Sequence, residues 1–252
     1  MGDVRTALIT GAGRGIGRAT ALALARAGLD VALAGRTRPA LDGVAGEVEA
    51  LRGRCPAVQV VDVGDPDSVA RAVEGLRAVL PAVDVLVNNA GVSDSAPLAR
   101  TDLALWQRLL GVNATGPFLL CRAFVPGMLA RGWGRVINVA STAGLGGAPY
   151  IAAYCASKHA LVGLTRALAA EAAGTGVTVN AVCPGYAATD MTWASARRIA
   201  ERTRRSVEQA VDAMARFNPS GRLVAPEEVA AAIVELASDG AAGTTGETVV
   251  LG

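Results

Sequence analysis

Short apolar runs alternate with longer amphipathic stretches along most of this 252-residue chain. The run at residues 5–10 breaks into glycines, as a buried strand does, and the Ala/Leu-rich stretch at 15–28 reads as the helix that follows it. The same alternation predicts strands at 31–34, 58–63, 84–87, 135–140, 177–182 and 248–251. Helices are predicted at 38–52, 66–79, 103–130, 153–173 and near 227–237. Strands and helices taking turns at this spacing imply βαβ crossovers. They build one α/β domain over residues 1–252, a doubly wound parallel sheet of about seven strands with helices on both faces.

Composition narrows the classes. The chain is 52% apolar and 18% charged with a net charge of +2, which gives no reason to expect a nucleic-acid or membrane partner. The start lacks the pattern of a signal peptide, and a cytoplasmic protein is expected. The longest uncharged stretch, 136–157, has the length of a membrane span, but Gly144, Gly146, Gly147 and Pro149 break it, so it reads as strand, loop and helix. Cys55, Cys121, Cys155 and Cys183 form no C-x-x-C pair and His159 is the only histidine, which argues against a metal site and against a Ser-His-Asp hydrolase. All but one of the 24 basic residues are arginine, so the lone lysine, Lys158, hints that ammonium chemistry is wanted there.

The glycines after the first strand stand at Gly11, Gly15 and Gly17 within Thr10-Gly-Ala-Gly-Arg-Gly-Ile-Gly. Between strand and helix, such a loop lets the backbone approach a pyrophosphate that rests on the helix N-terminus. Where the second strand ends, an acidic residue would hold the ribose hydroxyls of NAD; this chain has Arg36 instead, with Arg14 inside the loop. Two guanidinium groups suit the 2′-phosphate of NADP, so NADPH is expected over NADH. Tyr154 and Lys158 lie four residues apart and would share a helix face, with Ser141 at the end of the fifth strand and Asn113 within the helix at 103–130.

The T-G-x-x-x-G-x-G loop, Asn88-Asn89-Ala90-Gly91, the set Asn113, Ser141, Tyr154 and Lys158, and Pro184-Gly185 together resemble the short-chain dehydrogenase/reductase family over essentially the whole chain. The resemblance implies a Rossmann-type fold. It makes Tyr154 the acid/base and Lys158 the residue that lowers its pKa and holds the nicotinamide ribose. Ser141 would polarise the substrate oxygen and Asn113 support a water relay. The cofactor would further touch Gly11, Arg14, Gly15, Ile16, Gly17, Arg36, Asp62, Val63, Asn89, Ala90, Gly91, Pro184, Gly185 and Thr189. A free phenol has a pKa of about 10, and the nearby ammonium with the oxidised nicotinamide is expected to favour the phenolate. Family members are commonly homotetramers, paired here through the helices at 103–130 and 153–173.

Substrate choice falls to segments 93–97, 143–150 and 186–218, the last a lid carrying Arg197, Arg198, Arg202, Arg204 and Arg205. That lid is either a solvated helix or a basic platform for an anionic carrier, acyl carrier protein or coenzyme A. The leading expectation is NADPH-dependent reduction of a ketone, with 3-oxoacyl thioesters and polyketide intermediates as candidates. The alternatives are oxidation of a secondary alcohol or hydroxyacyl-CoA, and a nucleotide-binding protein without chemistry. His159 is read as a packing or surface residue, Cys155 and Cys183 as thiols near the site that the chemistry does not need, and Met191 and Trp193 as either pocket or lid packing.

Overall fold

The computed structural model describes residues 4–252. Seven parallel strands form one sheet in the order β3-β2-β1-β4-β5-β6-β7. They are β1 (Thr6–Thr10), β2 (Asp30–Gly35), β3 (Ala57–Val60), β4 (Val85–Asn88), β5 (Gly134–Val139), β6 (Val177–Pro184) and β7 (Thr248–Leu251). In β1 and β4 every residue is buried, because strands flank both and helices cover both faces.

Alternate side chains sort the core into two layers. Ile9, Leu33, Val87 and Ile137 point to one face, where Leu24 of α1 (Gly15–Arg26), Val44 of α2 (Arg38–Arg52) and Ile233 of α9 (Pro226–Ala237) cover them. Leu8, Ala32, Leu86 and Val136 point to the other. There they meet Val73 of α3 (Pro66–Val79), Phe124 and Met128 of α5 (Gly116–Arg131), and Ala169 of α6 (Ala152–Glu171). Each such aliphatic or aromatic side chain contributes about 1.5–3 kcal/mol on burial.

A polar ladder ties this second layer to the sheet. Asn88 Nδ2 donates to Asn138 Oδ1 (2.8 Å), Asn138 Nδ2 to Thr165 Oγ1 (2.8 Å), and Thr165 Oγ1 to the Leu161 carbonyl (2.8 Å). It fixes α6, which carries Tyr154 and Lys158, against β4 and β5.

Most boundaries shift by a residue or two from the sequence reading, and three of the differences bear on the site. The third strand stops at Val60, so Asp62 and Val63 lie beyond it; the Asp62 carboxylate accepts from Gly64 N (2.9 Å) and shapes the turn there. β6 continues to Pro184. The helix expected at 103–130 is α4 (Leu103–Leu110) and α5 with a π turn, Gly111–Thr115, between them. The run Leu103–Arg131 is long and apolar enough to cross a membrane, yet its α5 half packs on β4, β5 and α3. Residues 136–157 form β5, a loop and the start of α6, as the glycines and proline implied.

Candidate active site

The strand order reverses between β1 and β4, and the carboxyl ends of neighbouring strands there diverge to leave a crevice. β1 delivers Thr10 and the glycine loop to it. Thr10 Oγ1 accepts from Asn89 N (3.1 Å) and Ala90 N (3.0 Å), while Asn89 Nδ2 donates to the Thr10 carbonyl (2.9 Å). Gly11 stands at φ 65°. A Cβ on Gly17 would collide with the Gly11 carbonyl and come 2.6 Å from Asn89 Nδ2. No side chain caps the N-terminus of α1. Its free N–H groups and helix dipole, together with the bare glycine surface, suit a pyrophosphate.

Arg36, at the end of β2, is exposed and in no ion pair among the described residues. Arg14 differs: its Nη1 lies 3.5 Å from Asp190 Oδ2, a partner the sequence reading did not foresee. The Thr189 methyl would lie 3.3 Å from a Cβ on Gly15, so the start of α7 (Asp190–Arg202) rests against the glycine loop.

The four residues expected to do chemistry converge. Ser141 ends the passage from β5, its Oγ accepting from Ala143 N (3.1 Å). Tyr154 sits in the first turn of α6, partly buried, and Lys158 one turn on is only 4% exposed. Lys158 Nζ donates to the Val139 carbonyl (2.9 Å) and stands 6.0 Å from the Tyr154 ring centroid. Asn113 falls in the π turn, a geometry that often marks functional positions. Its Oδ1 accepts from Val92 N (2.9 Å), and its Nδ2 donates to the Val92 carbonyl (2.9 Å) and Ser157 Oγ (3.0 Å). A Cβ on Gly91 would lie 3.3 Å from Asn113 Oδ1 and 3.5 Å from Lys158 Nζ, so this bare glycine lets the two polar groups approach.

Burial dominates the electrostatics of Tyr154 and Lys158 in the chain by itself. Burial pushes the Tyr154 phenol up to about 12, against the opposing hydrogen-bonding influence of Ser141. Burial also lowers Lys158 to about 8. In the chain itself desolvation therefore outweighs the pull of the ammonium, which is turned to Val139 rather than to the phenol.

The three segments expected to choose the substrate also meet. Ala96 N donates to the Tyr150 carbonyl (2.8 Å), and Arg202 Nη1 reaches the Ser95 carbonyl (3.5 Å). Tyr150 is held at φ 68°, in the left-handed region uncommon for a non-glycine residue. Met191 and Trp193 stay exposed on α7. Two residues escaped sequence reasoning. Ser157 is buried between Asn113 and the Tyr154 carbonyl. Asn218 takes Tyr186 N on its Oδ1 and donates to the carbonyls of Tyr186 and Arg222, clamping the far end of segment 186–218 to β6. Its Oδ1 occupies the place of a Cβ on Gly185, which is why glycine follows Pro184.

Residues 5–200 match the family model described as short chain dehydrogenase. The chain belongs to the short-chain dehydrogenase family. It is 41% identical over 246 residues to a 3-oxoacyl-[acyl-carrier-protein] reductase of Synechocystis sp., covering 97% of this chain and 94% of that one. It is 43% identical over 255 residues to a monensin polyketide synthase putative ketoacyl reductase of Streptomyces virginiae, covering 96% and 94%. A variant of actinorhodin polyketide ketoreductase solved with NADPH superposes with a TM-score of 0.91 at 37% identity, covering 99% of this chain and 96% of that one. The protein is an oxidoreductase with the family's parallel sheet and helices on both sides.

The collision at Gly17 gives a direct test. Gly17→Ala is expected to lower unfolding free energy by about 1–3 kcal/mol, because the glycine loop must move off Asn89. Urea denaturation measures this, and an unchanged midpoint and slope would show that the loop is not packed as described.

Proposed function

We propose that this enzyme reduces a ketone to a secondary alcohol with NADPH, and that its substrates are 3-oxoacyl thioesters or polyketide intermediates carried on acyl carrier protein or coenzyme A. The observation that carries the reading is the convergence of Ser141, Tyr154 and Lys158 beside a glycine loop that fits a dinucleotide. The similarity to a carrier-protein reductase and to polyketide ketoreductases supports the substrate class.

The residues of the glycine loop and its neighbours, Gly11, Gly15, Ile16, Gly17, Asn89, Ala90 and Gly91, would hold the diphosphate and the nearer ribose. Asp62 and Val63 border the adenine side, and Pro184, Gly185 and Thr189 the nicotinamide side. Arg36, exposed and in no ion pair among the described residues, is the guanidinium for the 2′-phosphate, with Arg14, 3.5 Å from Asp190, as the second. When bound, NADPH supplies the hydride that arrives at the carbonyl carbon. As charge grows on the carbonyl oxygen, the Tyr154 phenol gives it a proton, while the Ser141 hydroxyl steadies it by a hydrogen bond. With its pKa up at about 12, Tyr154 is fully protonated near neutrality and poised as the donor that reduction needs. The resulting phenolate is stabilised by the Lys158 ammonium and by its place in the first turn of α6, whose dipole favours negative charge. Asn113 and Ser157 hold the π turn and α6 in register so that proton exchange with solvent can pass by Lys158.

Residues 186–218 act as the lid. The protein works in the cytoplasm as a homotetramer paired through α4, α5 and α6; Leu103, Trp106, Phe118 and Leu129 stay exposed along that helical run, which supports the pairing.

Two variants test the reading. Tyr154→Phe is expected to lower kcat at least about a hundredfold while NADPH affinity stays within about threefold; substantial residual turnover would remove Tyr154 from its role. Arg36→Ala is expected to weaken NADPH at least about tenfold and leave NADH unchanged. Equal effects on the two cofactors would show that Arg36 does not read the 2′-phosphate.

A further inference from the structure

About half of the arginines outside this segment meet carboxylates among the described residues, as Arg18 meets Glu47 and Arg222 meets Glu228. No ion pair among the described residues involves Arg197, Arg198, Arg202, Arg204 or Arg205. Two of the nearest acids are engaged otherwise. Asp94 is bound by Arg108 (2.8 Å), and Glu208 is held by the Ser206 hydroxyl at the start of α8 (Val207–Ala215).

Within this group Arg198 and Arg202 are set apart by position. Met191, Ser195, Arg198 and Arg202 recur at helical spacing and share one face of α7. Ser195 Oγ donates to the Met191 carbonyl (2.9 Å), Arg198 Nη2 donates to Ser195 Oγ (2.9 Å), and Arg202 reaches across to Ser95. The face bearing Ala196 and Ile199 is spent on α8, against Ala210, Val211 and Met214. The arginine face therefore looks onto the loop at 92–97. α7 begins at the glycine loop, and Arg198 lies about 12 Å further along its axis, so these arginines serve the substrate end of the crevice rather than the cofactor's diphosphate. Arg198 Nε is also buried with no acceptor. Such a donor is unsatisfied, and an anion brought to this face is one acceptor that would satisfy it once the side chain turns outward.

We propose that Arg198, backed by Arg202, anchors an anionic oxygen group carried by the ketone substrate, a carboxylate or a phosphate, at the mouth of the crevice between α7 and the loop at 92–97. The proposal rests on the ketoreductase reading above and adds a residue that selects among ketones.

Calorimetric titration of the protein loaded with NADP+, which has no hydride to give a ketone, tests it with two matched pairs: acetoacetate against 2-butanone, and 4′-phosphopantetheine against pantetheine. The charged member of at least one pair is expected to bind at least about tenfold more tightly. Arg198→Gln should abolish that preference and leave the neutral member within about twofold, whereas Arg198→Lys, which keeps the charge without the fork, should retain part of it. A preference confined to the first pair places the anion on the keto acid itself, and one confined to the second places it on a carrier arm. Equal or undetectable binding within both pairs, or a preference that survives Arg198→Gln, overturns the anchor. Titration needs no turnover, so a wild-type protein that oxidises NADPH with no ketone would refute the reductase reading separately.

Discussion

The crevice is organised around one buried ammonium. Lys158 is 4% exposed, has no carboxylate within ion-pair distance among the described residues, and donates a hydrogen bond to the Val139 carbonyl at 2.9 Å. Burying a charge on so little compensation is costly, and the group answers by holding its proton less tightly, down to about 8. Several features of the fold serve this single placement. β5 must end where Val139 offers its carbonyl inward, and Gly91 must lack a side chain between Lys158 and Asn113. The Asn88–Asn138–Thr165 ladder must keep α6 in register with the sheet. A lysine is needed rather than another arginine because a guanidinium would keep its charge at any working pH and could not respond to burial in this way.

Much of this was legible in the sequence because its signals are local. A strand buried on both faces is an apolar run whatever surrounds it, and glycines placed so that a helix can start against a neighbouring carbonyl, as Gly17 does against Gly11, leave a spacing that survives in one dimension. Tyr154 and Lys158 share a helix face by arithmetic. Features set by contacts between distant segments stayed hidden. The π turn at Asn113 arises where that side chain must reach Val92 and Ser157 together, and nothing in Gly-Val-Asn-Ala-Thr distinguishes it from ordinary helix. Asn218 closes a gap to Tyr186 thirty-two positions away, and Arg14 finds Asp190 across 176. The Tyr154 shift in the chain by itself was hidden for a related reason: the ammonium's proximity in sequence said nothing about its commitment to Val139 or about the burial of the phenol.

The crevice divides its work along α7. One end, Thr189 and Asp190, closes on the glycine loop, and the other, Arg198 and Arg202, faces the loop at 92–97. A single helix thus reaches both the glycine loop and the loop at 92–97. Under the proposed function, α7 would join the cofactor cradle to the end of the crevice that meets the substrate.

The pH dependence of kcat/KM for ketone reduction at fixed NADPH tests the central role of Lys158 most directly. Because burial lowers its pKa from 10.5, the lysine is a cation below about 8 and neutral above. In the proposed mechanism the cation is the form that would steady the phenolate left on Tyr154. The account predicts a profile that is level below about 8 and falls above it. A profile that stays level to about pH 10, or that rises through 8, would contradict the assignment of Lys158 as the charge on which proton transfer depends.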